Sequence, residues 1–144
     1  MFIIISMCFK GSRPKYLGVK QGKLARCREA PNCVSSQAPV DDRIHYIDPI
    51  SVSSSSSNKH VLTRIQNIFE GMDKVKIIRS NEEYLYAEFS STFLGFVDDV
   101  EFYAEKEAVV HVRSASRLGY SDLGVNRNRI ESIRSKLQVV DSKL

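Results

Sequence analysis

Residues 95–114 have the sequence GFVDDVEFYAEKEAVVHVRS, from which the architecture of the sheet can be inferred. Apolar and polar side chains alternate on both sides of a polar loop at 105–107. Alternation with a period of two is typical of β-strands that bury one face. The stretch therefore predicts an antiparallel hairpin with strands at 95–104 and 108–114.

The register of this hairpin follows from matching the two faces of its strands. With Lys106 at the tip, Glu101 lies opposite His111. Asp99 then lies opposite Arg113, and apolar side chains meet apolar side chains on the other face. Pairs of opposite charge and pairs of apolar groups both stabilise a sheet, so we expect this register in the folded protein.

Two further strands are predicted before the hairpin, at 74–80 and 83–90, because both segments are rich in β-branched or aromatic residues. Four consecutive strands with short connections predict an antiparallel meander. A short alternating segment at 43–48, ended by a proline, predicts a fifth strand.

A helix is predicted on either side of these strands, at 58–70 and at 127–140, because apolar residues recur there at helical spacing. Gly71 ends the first helix, and Asn126 is the predicted N-cap of the second. The predicted fold class is therefore α+β: an antiparallel four-to-five-stranded sheet meander flanked by two helices, with a long N-terminal arm.

Residues 1–42 form the predicted N-terminal arm or loop, because Gly, Pro, Ser and charged residues follow no sustained period there. Residues 43–144 form a single predicted α+β domain, with a serine-rich insert at 53–57. One face of the sheet is expected to carry both helices. The other face is expected to be solvated or covered by the arm.

The composition is that of one soluble globular domain, with 144 residues of which 42% are hydrophobic and 26% charged. The net charge of +4 is mild and no run of five basic residues occurs, so nucleic-acid binding is not predicted. The apolar stretch 1–9 is shorter than the roughly 20 residues of a membrane-spanning helix and lacks a charged start. No transmembrane span and no intact targeting segment are predicted.

Three strings carry a family resemblance: PNCVSSQ at 31–37, FVDDVEF at 96–102 and VRSASRLGYSDLGVNR at 112–127. In this order they resemble the domain-of-unknown-function family 1499 (DUF1499), over about residues 17–137, and most closely its cyanobacterial and plant-plastid members. Arg28 and Ala30 depart from the Pro and Ser that are common around the first cysteine. The family has no known activity. The resemblance implies a plastid (chloroplast, thylakoid) or bacterial-envelope location and association with a membrane or a membrane-associated complex.

The segment 113–129 leaves a strand, enters a helix and concentrates arginine and serine side chains. Guanidinium groups bind phosphate, sulfate or carboxylate oxygens in pairs, and the N–H groups of a helix N-terminus also favour an anion. Gly119 and Gly124 permit close backbone approach. The segment therefore predicts an anion-binding loop. Its candidate residues are Arg113, Ser114, Ser116, Arg117, Tyr120, Ser121, Asn126 and Arg127.

Asp98, Asp99 and Asp122 are the candidate supporting carboxylates, and they leave a second interpretation open. They could satisfy the arginines internally, in which case the segment is scaffold rather than a ligand site. Asp98 falls on the core face by period-two counting, so either a bulge at Asp98 and Asp99 turns it outward or it is buried and paired. We prefer the second interpretation, in which Asp98 anchors the segment from beneath.

Cys27 and Cys33 enclose a short loop that contains the turn-forming residues Pro31 and Asn32. We take the pair as a candidate disulfide, which requires Cα atoms within about 7 Å, and expect Cys8 not to join it. Two reduced thiols remain an alternative. A metal site is not predicted, because zinc needs four ligands and no convincing fourth ligand is present.

The sequence has no phosphate-binding glycine loop, dinucleotide motif or zinc-protease motif, so no cofactor and no catalytic residue are predicted. The expected function is a non-catalytic binding or assembly module whose partner is a protein or an anionic small molecule. The alternative is an enzyme acting on a small anionic substrate, with Asp98 or His111 as acid or base and the arginines as a clamp. The lack of a recognisable nucleophile–base pair favours the module.

Overall fold

The computed structural model describes residues 9–51, 58–92, 94–105 and 109–141, and it confirms an α+β fold. The serine-rich insert at 53–57 and Cys8 lie outside the described residues. The elements, in chain order, are β1 (Cys33–Ser35), β2 (Ile50–Ser51), α1 (Asn58–Glu70), β3 (Val75–Ser80), β4 (Tyr84–Ser90), β5 (Val97–Ala104), β6 (Val109–Ser116) and α2 (Val125–Asp141).

A six-stranded antiparallel sheet forms the centre of the molecule, with the strand order β1-β6-β5-β4-β3 and with β2 also paired to β6. Strands β3 to β6 are the predicted meander. The two short strands lie on the free edge of β6, where β1 pairs with residues 113–115 and β2 with residues 109–110. Residues 33–35, assigned to the arm from the sequence, therefore belong to the sheet.

The strand predicted at 43–48 is wrong, because this segment forms a turn. The Asp42 carboxylate accepts hydrogen bonds from the N–H groups of Ile44 and His45, both at 3.1 Å. Tyr46 makes only an isolated bridge to β1. An Asp side chain that binds the following N–H groups stabilises a turn in competition with a strand ladder.

The register predicted for the β5–β6 hairpin is also wrong, by two residues. Glu101 pairs with Arg113 rather than with His111, and Asp99 pairs with Ala115. A shift of two residues leaves every side chain on its predicted face, so the alternation of apolar and polar residues permits both registers. The observed register brings the buried Glu101 carboxylate within 3.4 Å of the buried Arg113 guanidinium, and it leaves Asp99 to bind Arg117.

Both helices pack on one face of the sheet, as predicted. Phe69 of α1 lies at the centre of this core, with its ring 5.1 Å from that of Phe89 and 5.8 Å from that of Phe102. The other buried apolar side chains of this face come from α1 (Val61, Leu62, Ile65), α2 (Ile130, Ile133, Leu137) and the sheet (Leu85, Val100, Val110, Val112).

The opposite face of the sheet is covered by residues 9–32, which we call the arm. Leu24 packs on Tyr84 and Tyr86 in a small second core. A disulfide joins Cys27 to Cys33 of β1, with the two Cα atoms 5.7 Å apart, and ties the arm to the sheet. The arm therefore decides what the polar residues of this face can contact.

Candidate functional site

The covered face of the sheet carries a buried layer of charged and phenolic side chains. One half of this layer is built around Glu101, which is fully buried on β5. Its carboxylate accepts hydrogen bonds from the Tyr84 hydroxyl at 2.7 Å, from the Gly18 N–H of the arm at 2.8 Å and from Arg113 at 3.4 Å. The Arg113 guanidinium lies over the ring of Tyr16, 5.5 Å from its centroid.

The other half of the layer is built around Arg117. Its Nε and Nη2 donate to both oxygens of Asp99, at 2.9 and 2.8 Å, and Nη2 also donates to Glu88 at 2.8 Å. Tyr86 donates to Asp99 at 2.6 Å, and Arg13 of the arm donates to Glu88. The hydrogen bonds to Asp99 raise the pKa of Arg117 well above its ordinary value, against the opposing effect of burial.

Because of the ionisable groups in this layer, we expect the protein to lose stability at both acidic and alkaline pH. Burial raises the pKa of Glu88, but hydrogen bonds from Arg13 and Arg117 outweigh burial and lower it below 4.5. Its contribution is therefore present above about pH 4.5 and is lost as the pH falls through the lowered value. Burial raises the pKa of Tyr84 and of Tyr86 above 10, so their contribution is lost as the pH rises past about 10.

Urea unfolding between pH 3 and pH 11 checks this dependence. Tyr84→Phe is expected to reduce the alkaline loss, whereas Tyr120→Phe, at an exposed position, is expected to leave it unchanged. A free energy of unfolding that stays constant above pH 10 in the parent protein would contradict the prediction.

A small cavity opens beside this layer, and we call it the arginine pocket. Its volume is about 90 Å³, room for roughly three water molecules or one small oxyanion. Three arginines and no carboxylate are among the residues that line it, which are Tyr16, Arg28, Ala30, Asn32, Cys33, Arg113, Ala115, Ser116, Arg117 and Gly119.

Arg113, which lines this pocket, has one donor without a partner among the described residues. Its side chain is 2% exposed, and its Nε is buried with no hydrogen-bond partner within the described ranges. Arg28 lies on the disulfide loop, and its guanidinium group stacks on the ring of Tyr16, 5.9 Å from the centroid. The same ring contacts Arg113. The pocket therefore combines one exposed and two buried guanidinium groups.

Arg129 and Asp98 form a separate cluster on the helix face of the sheet. Arg129 of α2 donates to Asp98 at 2.7 Å and lies over the ring of Phe89, 4.7 Å from its centroid. Asp98 is thus buried and paired on the core face, beneath the start of α2. Its partner is Arg129, so Asp98 does not contribute to the arginine pocket.

Asn126 is not the N-cap of α2, contrary to the sequence prediction. The capping side chain comes from Asp122, three residues before the first helical residue, since its carboxylate accepts from the N–H groups of Gly124 at 2.8 Å and of Asn126 at 3.0 Å. The Asn126 side chain instead turns inward, where it is fully buried. It accepts from Ser114 at 2.6 Å and donates to Ser116 at 2.9 Å.

The residues predicted to form one anion-binding loop therefore lie in three places. Arg113, Ser116 and Arg117 line the arginine pocket. Ser114, Asn126 and Asp98 belong to the helix-face cluster. Three others lie on the surface, where Arg127 donates to the carbonyl of Ile44, Ser121 binds the N–H of Leu123, and Tyr120 is exposed.

Seven charged or phenolic members of the pocket and the layer are not among the site candidates drawn from the sequence: Arg13, Tyr16, Arg28, Tyr84, Tyr86, Glu88 and Glu101. Period-two counting gives a signal for the strand residues, since Tyr84, Tyr86 and Glu88 share one face of β4. The arm residues give no such signal, because the arm follows no period.

His111 lies far from Asp98 and on the other face of the sheet, so the two cannot act as an acid–base pair in one site. His111 pairs with Tyr103, whereas Asp98 pairs with Ser116. His111 is hydrogen-bonded to Ser36 Oγ through Nδ1 at 3.1 Å and to Glu105 through Nε2 at 3.0 Å. The buried Ser36 Oγ also accepts the Val112 N–H at 2.9 Å, which ties it to the edge of β6.

No group of three or more His, Cys, Asp or Glu residues that could hold a metal ion is found in the described part of the chain. Among the described helices, neither is long and apolar enough to cross a bilayer.

A family model described as a protein of unknown function (DUF1499) matches residues 23–137. The match covers most of the chain, including every strand and the arginine pocket apart from Tyr16. No curated protein and no solved structure matches the chain.

Proposed function

The chain belongs to the DUF1499 family, and we propose that it is a non-catalytic binding or assembly module that holds a small anionic group in the arginine pocket. The observation that carries the proposal is the lining of that pocket, which has three arginines and no carboxylate. A small oxyanion accepts several guanidinium hydrogen bonds at once, and such charge-assisted bonds are the strong ones.

The carboxylates behind the pocket support this function by holding the arginines in place. Asp99 takes both Nε and Nη2 of Arg117, so the guanidinium plane is fixed before any ligand arrives. Glu101 takes only Nη1 of Arg113 and leaves Nε of that residue unused within the described ranges. Preorganised donors bind with less loss of side-chain entropy than mobile ones.

The exposed Arg28 closes the proposed site from the side of the disulfide loop. The loop between Cys27 and Cys33 contributes Arg28, Ala30 and Asn32 to the pocket lining. Stacking on Tyr16 supports the Arg28 side chain without consuming its N–H donors. The proposal also retains the association with a membrane or a membrane-associated complex of a plastid or bacterial envelope that the family resemblance implies.

An enzyme acting on a small anionic substrate is the alternative function, and His111 is the residue that favours it. His111 lies between Ser36 and Glu105, and it shares the covered face of the sheet with Arg113 two residues away. Hydrolysis of simple phosphate esters by the parent protein, abolished in His111→Gln, would favour this alternative over the module.

Inorganic phosphate and sulfate are the probes that test the proposed site. Arg28→Ala is expected to weaken their binding at least tenfold, because a hydrogen bond to a charged group contributes about 1.5–3 kcal/mol. Amide chemical shifts around the pocket, followed at constant ionic strength with chloride as the balancing salt, measure the affinity.

Arg26→Ala is the matched control for this substitution. Arg26 is an exposed arginine of the same arm, and it does not line the arginine pocket. Equal affinities in the parent protein, Arg28→Ala and Arg26→Ala would contradict the proposed site, as would the absence of any titration in the parent.

A further inference from the structure

We propose that the protein docks on the surface of an anionic lipid bilayer, through a cluster of exposed apolar side chains at one end of the sheet and the basic outer face of the arm. We call the first of these the apolar end. It is formed by the loop between β6 and α2, by the neighbouring turn between β4 and β5 and by the start of the arm. Its exposed side chains are Phe9, Leu94, Leu118, Tyr120, Leu123 and Val125.

Contacts within the apolar end show that its segments are neighbours. The ring of Phe9 lies 5.2 Å from that of Phe96, which closes the turn between β4 and β5 through its hydrogen bonds to Ser91. Gly11 runs so close to the next loop that a Cβ atom there would lie 3.2 Å from Leu118 Cγ. The start of the arm therefore contacts both the β4–β5 turn and the loop between β6 and α2, the two segments that carry the other exposed apolar side chains.

Leu123 is the most informative residue of this surface. It is 91% exposed, and its backbone has a φ of +54°, a region that a branched side chain such as Leu rarely adopts. Backbone strain of this kind persists where the surrounding structure imposes it and is concentrated at binding sites. Here Asp122 and Gly124 impose it, and they present a leucine to solvent at the tip of the loop.

The start of the arm adds positive charge beside the apolar end, and the rest of the arm continues this charge along the covered face of the sheet toward Tyr84. Residues 9–28 contain no acidic residue, and all their basic side chains are exposed. These basic residues are Lys10, Arg13, Lys15, Lys20, Lys23, Arg26 and Arg28. The net charge of the whole chain is only +4, because the sequence outside the arm has more acidic than basic residues.

A bilayer with anionic headgroups fits the combination of these two surfaces. Exposed lysines and arginines are attracted to anionic lipids, and Leu, Phe and Tyr side chains lie at the boundary between headgroups and acyl chains. A nucleic acid would account for the basic arm but not for the exposed Leu123 and Val125.

This inference extends the proposed function, because the arginine pocket opens beside the apolar end. Arg117 and Gly119 line the pocket, and Leu118 lies between them in the chain. A lipid phosphate held in the pocket would bring its acyl chains toward the apolar end. The experiment therefore measures vesicle binding and free phosphate binding separately.

The chain contains no tryptophan, so a single introduced tryptophan is an unambiguous fluorescent reporter. Leu123→Trp is expected to shift its emission to the blue, and to be quenched by brominated acyl chains, on vesicles of phosphatidylcholine with one third phosphatidylglycerol. Neither change is expected on vesicles of phosphatidylcholine alone. Val40→Trp is the matched control, because Val40 is also an exposed apolar residue but lies outside the apolar end.

The contribution of the basic residues to vesicle binding is tested in the Leu123→Trp variant. Lys10→Gln with Lys15→Gln is expected to weaken vesicle binding about 25-fold, at about fivefold for each basic residue near the bilayer surface. Lys76→Gln with Lys136→Gln, on β3 and α2, is expected to leave binding unchanged. The far-ultraviolet circular dichroism spectrum of each variant checks that it is folded.

An equal spectral shift at positions 40 and 123 would overturn the proposed docking surface, and so would the absence of binding to the anionic vesicles. If vesicle binding is absent while inorganic phosphate still titrates the arginine pocket, the docking inference fails and the proposed function stands. If phosphate fails to bind while vesicles do, the proposed pocket fails and the docking surface stands.

Discussion

Replacing Arg117 by alanine is expected to lower the free energy of unfolding by about 3–5 kcal/mol. The side chain is 4% exposed and holds two buried carboxylates, Asp99 and Glu88. Its removal leaves Asp99 with Tyr86 as a neutral donor and leaves Glu88 to Arg13, which is half exposed. A buried carboxylate without its counter-charge is strongly destabilising, so urea or guanidinium unfolding should show a much lower midpoint.

Arg127→Ala is the control for this prediction, since Arg127 belongs to the same sequence motif but donates to a carbonyl at the surface. A loss below about 1 kcal/mol is expected there. Equal, small losses at positions 117 and 127 would mean that the charged layer contributes little to stability. In that case, the ion pairs of Arg117 with Asp99 and Glu88 would contribute little to stability, and Arg117 could exchange them for a ligand with little loss of stability.

The second large effect is expected at Asn126. Asn126→Ala is expected to cost about 3 kcal/mol, because each buried polar group left without a partner costs about 1–3 kcal/mol. The side chain is fully buried and connects Ser114, Ser116 and Arg129 with the carbonyl of Asn32, at distances of 2.6–3.1 Å. Without it, the start of α2 loses the hydrogen bonds that Asn126 makes to β6 and to the disulfide loop.

Asn128→Ala provides the comparison, because Asn128 lies two residues further along the same helix and is exposed. We expect a change within about 0.5 kcal/mol, typical of a surface substitution. Thermal or chemical unfolding of the two variants gives the difference directly. A similar small loss in both would show that the buried network does not hold α2 to the sheet.

The faces of the strands could be predicted from the sequence, and their register could not. Alternation over 95–114 assigns Val100 and Phe102 to the core and Glu101 to the opposite face in either register. A slide of two residues preserves that pattern. The two registers differ in which carboxylate lies opposite Arg113, Glu101 or Asp99, and that difference rests on tertiary contacts that no local pattern reveals.

The candidate site could be predicted only in part, for a related reason. Arg113 and Arg117 stand out because they lie two and six residues into one polar motif, but their partners are distant in sequence. Arg13 is 75 residues from Glu88, and Gly18 is 83 residues from Glu101. An arm without periodicity gives no indication of which face it covers, so Tyr16 and Arg28 could not be placed beside the pocket.

The arm and its partners lie far apart in the sequence, so the contacts between them can form only late during synthesis on the ribosome. The arm is translated first, but Glu88 and Glu101 follow 75 residues after Arg13 and 83 residues after Gly18. At about 5–20 residues per second, the nascent arm waits roughly 4–17 s for the acidic strands that it will cover. Throughout that interval the basic arm lacks the two buried carboxylates that bind it in the folded protein.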